Sequence, residues 1–125
     1  MTDDRHISPA LLLDLYDEPI AFHRAHLRLT GSVTAALLLS TACHLAADLP
    51  EDAHGWLRLS TTDWQRETGL SRFEQETARR LLRSRGLIED RRRGMPARLE
   101  LRVRTESLLG ALRVQAETSL AAAAS

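Results

Sequence analysis

Eleven arginines lie between residues 72 and 104, and the strongest candidates for chemistry sit among them: Arg72, Glu76, Arg79, Arg80 and Arg83, then Arg91, Arg92, Arg93 and Arg98. A guanidinium stays charged, offers five donors in a planar fork, and fits phosphate oxygens and guanine edges. Such chemistry is binding rather than catalysis. The chain has no G-x-x-x-x-G-K-[ST] loop, no G-x-S-x-G elbow and no H-E-x-x-H helix. His23 and His26 stand three apart, and His6, His44 and His54 are scattered, so no zinc-finger spacing arises. Asp17-Glu18, Glu51-Asp52 and Glu89-Asp90 fall in expected loops or strand ends, where solvated charge is commoner than acid-base work. Neither an enzyme nor a metal or cofactor site is expected.

Positioning those arginines requires two short helices and a hairpin. Ser60 is a good N-cap, Asp63 places a carboxylate at the positive helix end, and Gly69 stops the helix. Ser71-Arg-Phe-Glu74 is a capping box that starts a second helix over residues 72–85, which Gly86 closes. With Ala78 set inward, 100° steps place Glu74, Leu81, Leu82 and Arg85 near it, and turn Arg72, Phe73, Glu76, Arg79, Arg80 and Arg83 elsewhere. Leu87-Ile-Glu89 enters a strand, Gly94-Met-Pro96 turns the chain, and Arg98-Leu-Glu-Leu-Arg-Val103 alternates as a half-buried strand. Arg91, Arg92, Arg93 and Arg98 then cluster at the hairpin tip.

The front half supplies the support. Thr30-Gly-Ser32 caps a helix over the apolar residues 33–49, which is too polar in places (Thr34, Ser40, Thr41, His44, Asp48) and too short to span a membrane. Ser8-Pro9 opens a short helical segment that Glu18-Pro19 ends, residues 23–29 form another short helix, and Trp56-Leu-Arg-Leu59 is a strand that pairs with the hairpin. Helix, strand, helix, helix, strand, strand is the order of a winged helix-turn-helix. The expected fold class is therefore mainly α with a small antiparallel sheet (α+β), a winged helix-turn-helix with extra N-terminal and C-terminal helices. Three parts follow: an acidic helical extension over residues 1–18, the winged helix over 19–104, and a C-terminal helix over 105–125 whose last residues, 121–125, fray.

Formal charge is zero over 125 residues, but it is unevenly placed. Residues 1–54 hold three arginines against eight acids, net −5, while residues 72–104 hold eleven arginines against five acids, net +6. A local basic surface is what phosphate binding needs, whatever the total. A hydrophobic fraction of 43% builds a modest core, and the single Cys43, in an apolar helix, is expected to be a buried thiol in a reducing, cytoplasmic setting. The acidic N-terminus lacks the basic region of a signal peptide. Trp56 and Trp64 are expected to pack in the core or between sheet and helix.

Residues 31–40 (GSVTAALLLS), Gly55-Trp56, residues 68–72 (TGLSR), residues 86–89 (GLIE) and residues 94–97 (GMPA) together resemble the winged-helix domains of plasmid and phage replication-initiation proteins. The resemblance covers residues 19–103. It implies a DNA-binding protein that regulates transcription or serves replication and maintenance of a mobile element, with double-stranded DNA and a replication or regulatory protein as partners. Against that pattern, the length of the chain leads to the expectation of no further domain of the kind many initiators carry, and Cys43-His44 stands where an aromatic pair is common. The alternative is a winged-helix adaptor that docks a protein and never touches DNA. Leu109, Leu112, Ala116 and Leu120 form an apolar stripe that either packs on the domain or pairs two subunits as a homodimer. No membrane partner is expected.

Overall fold

The computed structural model describes residues 8–124, and the acidic stretch of residues 1–7 lies outside them, as does Ser125. The elements run α1 (Pro9–Leu13), α2 (Arg24–Thr30), α3 (Val33–Ala47), a short 3-10 turn (Glu51–Ala53), β1 (Trp56–Leu57), α4 (Thr61–Thr68), α5 (Arg72–Ser84), β2 (Ile88–Arg93), β3 (Arg98–Val103) and α6 (Thr105–Ala124). The fold is α+β: helices dominate, and three antiparallel strands form one small sheet in the order β1-β3-β2. No helix among the described residues is long and apolar enough to cross a membrane.

α3 is the hub. Ser32 accepts a hydrogen bond from the Ala35 amide at its N-terminus, and Ala35, Ala36, Leu38, Leu39 and Ala42 are buried along it. Leu57, Trp64, Leu70, Ala78, Leu82, Leu87, Ile88, Leu101 and Leu108 close round it from the other elements. α1 buries nothing.

α4 and α5 are joined by a corner with specific fastenings. Both begin with capping boxes, Ser60 with Asp63 and Ser71 with Glu74, and Gly69 ends α4 in the left-handed region at φ +73°. Each capping carboxylate is held below its ordinary pKa by hydrogen bonds from its serine partner. Thr68 Oγ1 donates to the Trp64 carbonyl at 2.6 Å and accepts from the Leu70 amide at 3.1 Å. Gln75, fully buried, donates from Nε2 to the carbonyls of Thr61 (3.1 Å) and Leu70 (3.0 Å), which ties α5 back to the start of α4.

The inner face of α5 differs from the expected stripe. Gln75, Ala78 and Leu82 are buried, whereas Glu74 is exposed in its capping box and Arg85 reaches out to the Leu29 carbonyl at 2.6 Å. Glu74 is held at the helix start by its capping box with Ser71, and the Gln75 amide nitrogen finds two carbonyl acceptors in the α4–α5 corner while its Oε1 has no partner among the described residues. The strand beginning at Trp56 is also shorter than expected, ending at Leu57. At the other end, α6 remains helical through Ala124 instead of fraying from residue 121, since alanine has the highest helix propensity.

α2 is fastened to α3 by a buried imidazole. Ser40 Oγ accepts from the His23 amide at 3.0 Å and lies 2.8 Å from His26 Nδ1. With its lone pair engaged by an amide, the hydroxyl is free to donate to a neutral His26. Burial first, then the nearby His23 and His44, push His26 below the ordinary imidazole pKa. The unfolded chain therefore takes up a proton that the folded chain resists. Stability tied to His26 is present above about pH 6.5 and is lost as pH falls through the lowered folded value. Urea midpoints should accordingly drop between pH 7.5 and pH 5.5, and this component should vanish in His26→Gln.

Candidate nucleic-acid interface

Strand alternation decides where the hairpin arginines go. β2 pairs with β3 so that Arg93 meets Arg98, Arg92 meets Leu99, Arg91 meets Glu100, Asp90 meets Leu101 and Glu89 meets Arg102. Successive side chains face opposite sides. Asp90 and Arg92 therefore share the α5 side with Leu99 and Leu101, while Glu89, Arg91 and Arg93 share the outer side with Arg98, Glu100 and Arg102.

On the α5 side, a groove of about 430 Å³ is lined by Glu76, Arg79, Arg80 and Arg83 from α5 and by Asp90, Arg91, Arg92 and Leu99 from the hairpin. A neighbouring depression of about 410 Å³ brings in Arg58, Arg72 and Arg98 beside Arg79 and Arg92. Arg72, Glu76, Arg79, Arg80, Arg83 and Arg92 thus line the α5 side, while Arg91 and Arg98, whose strand positions face the outer side, border these depressions. Arg93 does not: it lies on the outer side, in a cleft with Trp56, Arg58 and Glu100.

The guanidiniums on this surface are not equivalent. Arg83 is paired with Asp90 at 2.5 Å, and Arg72 stands 3.9 Å from Glu76. Arg91 is held by Glu100 at 2.8 Å, and Arg58 binds the other oxygen of the same carboxylate at 2.6 Å. Arg79, Arg80, Arg92, Arg93 and Arg98 have no carboxylate within ion-pair distance among the described residues. Arg79 is the most unusual. It is half-buried, and burial pushes its pKa below the ordinary arginine value; Asp90 and Glu76 oppose that shift, and Arg83 and Arg72 add to it. A cation so placed gains from an incoming anion, because phosphate oxygens would replace the hydration it has lost.

α5 adds a crest beyond the groove. Phe73, Thr77 and Arg80 fall on the side opposite the buried Gln75, Ala78 and Leu82, and Phe73 is 76% exposed. Arginine and the apolar groups of phenylalanine and threonine are the types that read guanine edges and thymine methyls.

The outer side of the sheet holds what composition alone conceals. Trp56 is buried, as expected of a packing residue, and its ring also lies under two guanidiniums, that of Arg91 at 3.9 Å from the centroid and that of Arg102 at 4.5 Å. Trp64 is in the core. Arg102 is in turn paired with Glu89 and donates to the His54 carbonyl at 3.3 Å. Glu100, only 2% exposed, is the anchor of this lattice. Glu100→Gln should weaken the fold by about 1–3 kcal/mol, because a buried charge-assisted pair is lost. The same change frees Arg58 and Arg91, so the net positive charge of the hairpin rises and any polyanion should bind more tightly. Thermal melting and a duplex titration on the one variant check both halves.

Cys43 is half-buried where a buried thiol was expected, and burial pushes its thiol pKa up, which lowers the share of thiolate. Comparison of the chain with protein-family models, with curated proteins and with solved structures finds no match.

Proposed function

We propose that this chain is a double-stranded DNA-binding protein of the winged helix-turn-helix type, with α5 entering the major groove and the β2–β3 hairpin following the adjacent backbone. The observation that carries the reading is the groove between α5 and β2, where half-buried Arg79 and the neighbouring Arg80 and Arg92 converge without carboxylate partners. Phosphate contacts there would set register, and the crest of Phe73, Thr77 and Arg80 would meet base edges. The order of elements and the net charge of +6 over residues 72–104 support the same conclusion. The resemblance to replication-initiation domains favours a cytoplasmic regulator, or a replication or maintenance factor, of a mobile element.

A protein-docking adaptor is the second reading. It draws on Phe73 and on Met95, which is 99% exposed at the hairpin tip, and on the internal neutralisation of Arg83 and Arg91. Titration of labelled duplex at low and moderate salt separates the two. DNA binding appears as an affinity that falls steeply with salt. Absence of binding at any salt concentration would leave the adaptor.

A further inference from the structure

α6 offers a surface of different chemistry, far less charged than the arginine groove. It runs for 20 residues, about 30 Å, yet Leu108 is its only buried residue. Ala111, Leu112 and Gln115 are partly covered, and Gln115 Nε2 donates to the Ala25 carbonyl at 3.1 Å, which fixes the side of the helix that faces α2. Every other described residue beyond Leu112 is exposed, including Leu120 at 71%. An isolated helix of about a dozen residues, the length of α6 beyond Leu112, is marginal in water, so this half of α6 lacks the packing that normally holds a helix.

The uncovered side has a pattern that fits itself. With Gln115 inward, steps of 100° place Leu109, Gly110, Arg113, Glu117, Leu120 and Ala121 within about 60° of the opposite side. Turn a second α6 antiparallel about the level of residue 115, and positions whose numbers sum to 230 come face to face. Arg113 then meets the partner's Glu117, and Glu117 meets the partner's Arg113. Leu120 stands over the partner's Gly110, where an added Cβ would find nothing within 4 Å. Leu109 lies against the partner's Ala121. Neither Arg113 nor Glu117 has an ion-pair partner among the described residues, so both charges are available. Large against small and plus against minus, repeated twice by symmetry, is the signature of an isologous interface.

We infer that α6 pairs antiparallel with α6 of a second copy of this chain, about a two-fold axis at the level of Gln115. The occupant is a second copy because the strip complements its own reverse; a nucleic acid would find only one arginine on it. The pairing does not depend on what α5 binds. If α5 reads DNA, the dimer presents two reading helices related by a two-fold, and the preferred site is palindromic.

Sedimentation equilibrium on the full chain tests this without DNA. The expected mass is twice 14.0 kDa at micromolar concentration. Arg113→Glu and Glu117→Arg, each alone, place like charges opposite one another twice and should weaken the dimer by about ten-fold or more. Mixed in equal amounts, those two variants should form a heterodimer, seen by native mass spectrometry, since the acidic strip of one then faces the basic strip of the other. An ion pair within one helix cannot produce that rescue. Leu120→Asp, at an exposed position that the monomer fold does not use, should also give monomers with unchanged helical circular dichroism. A monomeric wild type, single variants that dimerise normally, or a mixture that does not hetero-pair would each overturn the proposal. Duplex binding by a monomeric wild type would sink this pairing and leave the DNA reading standing.

Discussion

Duplex affinity should fall by about a thousand-fold when Arg79→Ala, Arg80→Ala and Arg92→Ala are combined, at roughly ten-fold for each lost guanidinium contact. These three have no internal carboxylate partner, so their removal leaves no unpaired acid behind and the fold should be retained. Salt dependence gives the sharper readout. Each neutralised phosphate contributes about −0.9 to the slope of log affinity against log salt, so four contacts imply a loss of about a hundred-fold between 50 and 200 mM. The triple variant should flatten that slope by about two, since Arg79 and Arg92 are the phosphate contacts among the three and Arg80 meets base edges. Arg24→Ala, on α2 and outside the lining of either depression, should alter neither quantity. Equal loss in Arg24→Ala and in the triple variant would mean that any cation on the chain serves, and the groove would lose its special standing.

Leu82→Ala should destabilise the fold by about 3 kcal/mol, within the range of about 2–5 for a buried leucine that leaves a cavity. Leu82 is 0% exposed and sits where α5 meets the core built round α3. A single domain has about 5–15 kcal/mol of stability, so this change removes a large fraction of it and should lower the melting temperature by roughly 10 °C or more. Phe73→Ala, on the same helix, should change stability by no more than about 0.5 kcal/mol, because the ring is already in water. Differential scanning calorimetry on the pair tests the orientation of α5 directly. Comparable losses in both variants would show that the helix presents a different face.

The elements of this fold were legible wherever local chemistry dictates them. Ser60 with Asp63, Ser71 with Glu74, and Gly69 mark the α4–α5 corner in the sequence, and the structure places the caps on those residues. The precise rotation of α5 was not legible. A glutamine reads as polar until two carbonyls converge on it, and Thr61 and Leu70 do so only after the corner has formed. The hairpin was half legible. A loop over residues 94–97 sets Arg93 against Arg98, and from that register the opposed pairs Arg91–Glu100 and Glu89–Arg102 follow by counting. Treating the hairpin arginines as one cationic cluster hid this alternation, so Arg91 and Arg93 were grouped with Arg92 although the strand turns them to the other side. The burial of Trp56 was legible, but its two guanidinium contacts were not, because Arg91 and Arg102 come from two different strands. α6 extended further than expected because a run of alanines sustains a helix that nothing covers.

The Gln75 amide has a kinetic consequence. By reaching from α5 to the Thr61 carbonyl at the start of α4 and to the Leu70 carbonyl in the corner, it fixes the angle between the two helices while the chain is alone. A ligand that meets this corner finds its shape already set, and little backbone freedom remains to be frozen at the moment of encounter. For a polyanion such as the proposed duplex, association would then be governed by how fast opposite charges draw the two bodies together, not by a wait for the protein to rearrange.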